Sequence, residues 1–216
     1  MQSGIENKGY NAFFEALVEG RLRLGQTLKQ EELAEILGLS LSPMRETTTL
    51  LEAEGLIQVR RKVGITIFYP DMKLVGNSFQ LRGLLEKEGL RKFAGTVTPA
   101  WIARMRSEHA RVIELVREVN DLYAYRLPMK TLEADFHESF IAVYGNEQLS
   151  LIYARLVQKM YLFRLHNLDA VGPANTIQSM QEHLLVIDAL EAGNVELAIS
   201  GLDAHLKGVL HRVLTT

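Results

Sequence analysis

The sequence predicts a mostly α-helical protein built from two parts. Before about residue 70, two short helical patterns are followed by two alternating segments, LIQVR and ITIFY, separated by RKVG. After that point, helical periodicity alone continues to Thr216. Pro70 disfavours continuation of the second strand, so we expect one domain at residues 1–70 and a second, all-α domain at residues 71–216.

The composition excludes several kinds of site. The 216 residues are 47% hydrophobic, which is enough for one large core or two smaller ones, and they include no cysteine. Any metal must therefore be held by imidazole and carboxylate groups. No apolar run reaches the roughly 18 residues of a membrane span. Since MQSGIENKGY also lacks a signal-peptide pattern, we expect a cytoplasmic protein with no membrane partner.

The N-terminal domain has the pattern of a helix-turn-helix. A helix through Glu31–Leu37 should end at Gly38, and a second helix should begin with Ser42 as its N-cap and Pro43 at its first position. Gly55 supplies the stop. Two short helices joined by a tight turn predict either a DNA-binding module or a protein-interaction module.

Charge placement favours DNA binding. On the second helix, Arg45 and Thr49 project away from the apolar face, where a recognition helix contacts base edges. The predicted hairpin adds a wing whose tip is basic. The formal charge is only −2, so a nucleic-acid contact depends on such local clusters. The wing residues placed to contact DNA are Arg60, Arg61, Lys62 and Gly64.

The all-α domain should contain about six helices in a bundle. Glycine and proline mark where the helices should stop. The expected breaks are residues 95–99, Leu127-Pro128, residues 145–146, residues 171–173 and residues 193–194.

Two histidines of this bundle should face each other. His183 lies 10 residues before Gly193 and His205 lies 12 residues after it. At about 1.5 Å per residue, an antiparallel helix hairpin places them about 15 and 18 Å from the turn, at nearly the same height. Apolar neighbours at helical spacing point both side chains toward the interior.

An earlier helix adds a carboxylate and a third imidazole. Glu133 and His137 are one turn apart and share the face of Phe136 and Phe140, whereas Asp135 lies on a different face. One carboxylate and three imidazoles at one level would suit zinc, nickel or another divalent first-row metal. The candidate metal ligands are Glu133, His137, His183 and His205.

The motifs resemble those of a known family. EELAEILGLS, then SPMRETTTLLEAEGLI and a basic wing ending in glycine, resemble the DNA-binding domain of GntR-superfamily bacterial regulators. The acidic residue and histidine one turn apart, followed by two more histidines, resemble the FCD effector domain. The resemblance implies that Ser42 and Arg45 contact double-stranded operator DNA. It also implies a metal-dependent cavity for a small organic acid and a homodimer formed through the bundle. The family usually has aspartate where this chain has Glu133.

Three further residues are candidates for effector binding. Arg82 could clamp a carboxylate with its guanidinium or form an ion pair with Glu86 four residues on. Asn146 follows the His137 helix, as in the family, and His166, like Arg164, could line the cavity. The leading hypothesis is therefore an effector-responsive transcription regulator and not an enzyme. The alternatives are a metal-dependent hydrolase and a regulator whose effector pocket contains no metal.

Overall fold

The computed structural model describes residues 7–119, 121–166 and 168–215; the side chains of residues 123, 165–166 and 168–169 lie outside the described part. The chain separates into two compact units, one ending at Asp71 and the other beginning at Met72. The mostly α-helical fold class is confirmed.

Within residues 7–71, the N-terminal unit combines three helices with a small antiparallel sheet. Its strand order is β1-β3-β2, so β2 is an edge strand. The hairpin of β2 and β3 occurs where alternation predicted it, but β1 was missed because two residues are too short to show a pattern. The elements are α1 (Lys8–Val18), β1 (Thr27–Leu28), α2 (Gln30–Leu37), α3 (Leu41–Ala53), β2 (Ile57–Arg60) and β3 (Gly64–Ile67).

Helix α3 starts earlier than the sequence suggested. Ser40, in extended conformation, occupies the N-cap position, so Ser42 is already in the first turn and its assignment as N-cap was wrong. Pro43 fits this turn because the first amides of a helix lack intrahelical acceptors in any case. The preceding helix α2 ends, as predicted, at Gly38 with φ of 63°.

The second unit is a bundle with six α-helices in its described part. The predicted break at Leu127-Pro128 was wrong, because α6 continues through Pro128. Tyr125 and Met129, which flank the proline, are buried, and their packing keeps the helix intact although one amide is lost. The elements are α4 (Met72–Phe93), α5 (Pro99–Glu118), α6 (Leu122–Ala142), α7 (Glu147–His166), a 3-10 turn (Leu168–Val171), α8 (Pro173–Glu191) and α9 (Val195–Thr215).

Two contacts position the helices that carry the predicted metal ligands. Helices α8 and α9 pack as a hairpin around Gly193, whose φ is 68°. Helix α4 approaches α6 so closely at Gly89 that an added Cβ would lie 1.9 Å from the carbonyl oxygen of Phe140. Within the described residues, none of the helices is long and apolar enough to span a membrane.

Candidate metal centre and DNA-contact surface

The structure brings the four predicted metal ligands together in the bundle interior. Glu133 and His137 come from α6, His183 from α8 and His205 from α9, and all four side chains are buried. One potential ligand atom from each lies within 4.8 Å of the others. Asp135, in contrast, is exposed and pairs with Arg104 on the bundle surface.

Hydrogen bonds to carboxylates fix the ring orientation of two of these histidines. His137 Nδ1 lies 2.7 Å from Glu86 Oε2, and His205 Nδ1 lies 2.7 Å from Glu182 Oε2. An ionised carboxylate only accepts hydrogen bonds, so each Nδ1 carries a proton and donates it. In the neutral rings, Nε2 therefore has the lone pair.

A fourth histidine performs the same task for His183. His109 Nδ1 donates to the carbonyl oxygen of Met105 at 2.6 Å, which leaves His109 Nε2 as an acceptor. His183 Nδ1 lies 3.0 Å from that nitrogen and donates to it. As a result, the lone pair of His183 is also on Nε2.

These hydrogen bonds leave three Nε2 lone pairs in one small volume. His183 Nε2 and His205 Nε2 are 3.1 Å apart. His137 Nε2 is buried and has no hydrogen-bond partner among the described residues. Nitrogens that face each other with lone pairs repel, and a buried nitrogen without a partner is costly. A cation at their common focus would relieve both costs.

Glu133 contributes a carboxylate to the same volume. Its Oε1 is 3.7 Å from His183 Nε2, and its Oε2 accepts a hydrogen bond from Arg164 Nη2 at 2.8 Å. Desolvation opposes its charge, but the guanidinium groups of Arg164 and Arg82 help to hold the pKa of Glu133 well below its usual range. The site therefore offers an ionised oxygen ligand at neutral pH.

Two of the buried histidines, His137 and His183, are neutral at physiological pH. Desolvation, followed by the positive charge of Arg82, lowers the pKa of His137 from 6.5 to about 4 despite the nearby carboxylates. Desolvation also lowers the pKa of His183 well below its usual value. Neutral imidazole is the form that coordinates metals, so these two ligands need not lose protons to bind a metal at pH 7.

The three candidate effector residues occupy different surroundings. Arg82 is buried, and its Nε donates to Glu86 Oε1 at 2.5 Å, which is the ion pair that the i+4 spacing allowed. The exposed Asn146 caps α7 by accepting from the amide of Leu149 at 3.2 Å. The His166 side chain lies outside the described residues. Effector binding by these residues remains a prediction.

The predicted DNA-contacting side chains are solvent-exposed. Ser42, Arg45 and Thr49 project from α3, whereas Met44 and Leu51 pack into the core. The polar face of α3 is therefore accessible to a groove of DNA.

The wing tip has the backbone of a tight turn. Its side chains at positions 60–62 are exposed, and Lys62 has a φ of 66°. Gly64 has a φ of 128°, and a Cβ there would lie 2.5 Å from the carbonyl oxygen of Leu28 on the neighbouring strand. Gly64 is therefore required for strand packing, and contact with DNA by its backbone remains a prediction.

Comparisons with known proteins match both units. The family described as "Bacterial regulatory proteins, gntR family" matches residues 10–67. The FCD domain family matches residues 77–208, which is more than half of the chain and includes all four predicted ligands. This chain belongs to the GntR family of transcription regulators with an FCD domain. The matched families are regulators and not enzymes, so the hydrolase alternative was wrong.

Similar proteins support the same assignment. An uncharacterized HTH-type transcriptional regulator of Streptomyces ambofaciens is 26% identical over 86% of this chain and 75% of its own length. A probable D-xylose utilization operon transcriptional repressor of Paenarthrobacter nicotinovorans is 27% identical over 90% of this chain and 82% of its own. The solved structure of E. coli McbR/YncC has the same fold, with a TM-score of 0.73, 20% identity and coverage of 96% and 95%.

The structure adds residues around the site that the sequence did not assign to it. Glu182 orients His205 and is itself held by both terminal nitrogens of Arg212 at 3.0 Å. His109, which is fully buried, orients His183. Glu182 is on α8 and His205 is on α9, 23 residues later, so no spacing within one helix indicates the pair. Only the packing of α8 on α9 reveals it.

Proposed function

We propose that this regulator holds a divalent metal ion, zinc or nickel, at Glu133, His137, His183 and His205, and that a small organic acid binds beside it. The supporting observation is the convergence of three oriented Nε2 lone pairs with one ionised carboxylate. The nitrogen-rich ligand set suits both metals. When bound, the metal would supply a positive centre for carboxylate oxygens of the effector.

The residues around the ligands fit this role. Glu86, Glu182 and His109 each accept the Nδ1 proton of one ligand histidine, an arrangement that fixes metal-binding imidazoles in proteins. Arg82 and Arg212 neutralise the two outer carboxylates. Glu133 reaches the ligand volume while its other oxygen stays on Arg164, so the longer glutamate side chain serves both contacts.

Metal analysis of untagged protein, purified without chelator, tests the proposal. We expect close to one zinc or nickel per chain in the wild type and loss of most of it in His183→Ala and His205→Ala. His211→Ala is the matched control, because His211 is exposed on α9. An effector response that survives replacement of all three ligand histidines would instead favour the metal-free pocket.

The N-terminal unit is proposed to bind operator DNA as part of a homodimer, with α3 in the major groove and the wing on the backbone. Apolar side chains exposed on α4 and α7, such as Leu84 and Leu151, support burial against a second copy. Effector control then requires different effector affinities in the DNA-competent and DNA-incompetent states.

A fluorescence anisotropy titration tests DNA binding with a duplex selected by the wild-type protein from a random library. Arg45→Ala should weaken binding by about 1–3 kcal/mol if the guanidinium contacts a guanine. Arg117→Ala, an exposed change on α5 of the bundle, should leave affinity unchanged. Equal affinities for the wild type and Arg45→Ala would contradict the proposed surface.

A further inference from the structure

A row of positive side chains runs along the contact between α6 and α7, beside the proposed metal centre. Arg126, Lys130, Glu133 and His137 recur at spacings of four, three and four residues, so they share one face of α6. Arg164 extends from α7 to Glu133 Oε2 at 2.8 Å. The row is therefore continuous with the metal ligands; we call Arg126, Lys130, Tyr161 and Arg164 the cationic seam.

The contacts within the cationic seam are specific. Arg126 Nη1 donates to the hydroxyl of Tyr161 at 2.9 Å, and Lys130 Nζ lies 4.5 Å from the centre of the same ring. Desolvation and then the charge of Arg126 lower the pKa of Lys130, consistent with cations held side by side. Tyr161 thus keeps the two cations beside the site.

The charge of Arg126 is not balanced by the described residues. Its hydrogen-bond partner, Tyr161, offers a hydroxyl and not a carboxylate, and the carboxylate of the same helix face, Glu133, already pairs with Arg164. The Nε of Arg126 is buried and has no hydrogen-bond acceptor among the described side chains. A buried guanidinium nitrogen without an acceptor is costly, so this donor requires an acceptor that the described part of the chain does not provide.

We propose that the effector is a dicarboxylate, with one carboxylate at the metal centre and the other on Arg126 and Lys130 of the cationic seam. This inference rests on the proposed function, because it places the effector next to the same four ligands. Seven residues of helix separate Arg126 from Glu133, a rise of about 10 Å. Arginine and glutamate side chains are each several ångströms long, so an acid with about four carbons between its carboxylates, such as adipate, matches this span better than a shorter one.

An effector with a single carboxylate would not satisfy both the metal centre and the cationic seam. A monocarboxylate at the metal would leave Arg126 Nε without an acceptor, as in the structure. A second carboxylate would supply a charged acceptor in a planar, two-pronged form that suits guanidinium. The dicarboxylate should therefore gain the affinity of a charge-assisted hydrogen bond, roughly tenfold or more.

Calorimetric titration of zinc-loaded protein tests the inference with matched acids, namely butanoate against succinate and hexanoate against adipate. We expect at least one dicarboxylate to bind roughly tenfold or more tightly than its monocarboxylate. Arg126→Gln should remove most of this advantage and leave monocarboxylate affinity unchanged. Arg104→Gln is the control, because Arg104 pairs with Asp135 on the exposed surface of the bundle.

Two outcomes would overturn the inference: equal affinity for both acids of each pair, or an advantage that Arg126→Gln leaves unchanged. The comparison of each dicarboxylate with its monocarboxylate uses the wild-type protein alone. If Arg126→Gln does not fold, Lys130→Gln repeats the variant test. Zinc content is measured on the same samples. Wild-type protein that binds neither zinc nor nickel would refute the proposed metal centre, whereas zinc-loaded protein without a dicarboxylate preference would refute this inference alone.

Discussion

At the level of single residues, His109 shows how a side chain outside the candidate ligand set can orient one of its members. Its Nδ1 is committed to the carbonyl of Met105, so its Nε2 can only accept, and the donor is His183 Nδ1. This fixes which nitrogen of His183 faces the other ligands. A carboxylate performs this task for His137 and His205, but a neutral imidazole performs it here.

His109→Leu should weaken metal binding without removing a ligand. His183 Nδ1 would lose its acceptor, and partners of this kind contribute about 10–100-fold to metal affinity. Competition with a chromophoric chelator measures the change. His109→Gln, which can still accept a hydrogen bond, should recover part of the affinity. The exposed residue His211 provides the control, His211→Leu. Unchanged affinity in His109→Leu would show that His109 only fills space.

The sequence predicted that these four residues meet because their relative positions depend on local spacing. Glu133 and His137 are one turn apart, and the heights of His183 and His205 followed from counting residues around Gly193. Partners from other helices could not be found in this way. Glu86 lies 51 residues from its partner His137, and Glu182 lies 23 residues from its partner His205. Their roles depend on how α4 packs on α6 and how α8 packs on α9.

At the level of secondary-structure elements, the sequence predicted a helix end correctly where backbone conformation alone determines it. The prediction failed where packing against other helices determines whether the helix continues. Gly38 and Gly193 adopt positive φ, which glycine favours, so the breaks they predict are present. Pro128 was misleading because buried neighbours hold α6 together despite the lost amide. The start of α3 was misplaced because Ser40 and Ser42 are both good N-cap residues.

The contact between α4 and α6 should tolerate no side chain at Gly89. Gly89→Ala would place a methyl group against the carbonyl of Phe140, and relief requires α4 to move away from the helix that carries Glu133 and His137. Overpacking of this kind costs about 1–3 kcal/mol or more. Chemical denaturation followed by circular dichroism measures the free energy of unfolding.

Another glycine of α4 provides a matched control for this prediction. A Cβ at Gly83 would meet Leu206 at an ordinary 3.8 Å. Gly83→Ala should therefore stabilise the helix by up to about 1 kcal/mol, because alanine is the better helix former. If both variants shifted stability in the same direction, the close approach of α4 to α6 would not be limiting.

At the level of the whole molecule, the two units differ in where their charged groups lie. The exposed basic residues of α3 and the wing suit a polyanion, whereas the bundle places several ionisable groups in its interior, in pairs or at the candidate metal centre. Buried ionisable groups make the bundle's stability depend on pH when metal is absent. His137 and His183 are expected to oppose protonation in the folded state.

Without metal, the bundle should lose stability as pH falls below about 6.5. His137 has a folded pKa of about 4 against its ordinary value of 6.5, so the unfolded chain binds the proton first and protonation favours unfolding. At pH 5 this histidine alone contributes a loss of about 2 kcal/mol relative to pH 8. His183, whose pKa is also lowered, changes stability in the same direction.

Denaturation of chelator-treated protein at pH 8, 6 and 5 measures this loss through the bundle's circular dichroism signal. The carboxylates reinforce the trend, because the pKa of Glu86 is lowered to about 2 despite desolvation, through Arg82 and His137. Its contribution is present above the unfolded pKa of about 4.5 and disappears only as pH approaches 2. Between pH 8 and 5 the histidines therefore dominate, and His137→Gln should flatten the profile. A flat wild-type profile over this range would mean that the histidines are not buried as neutral groups.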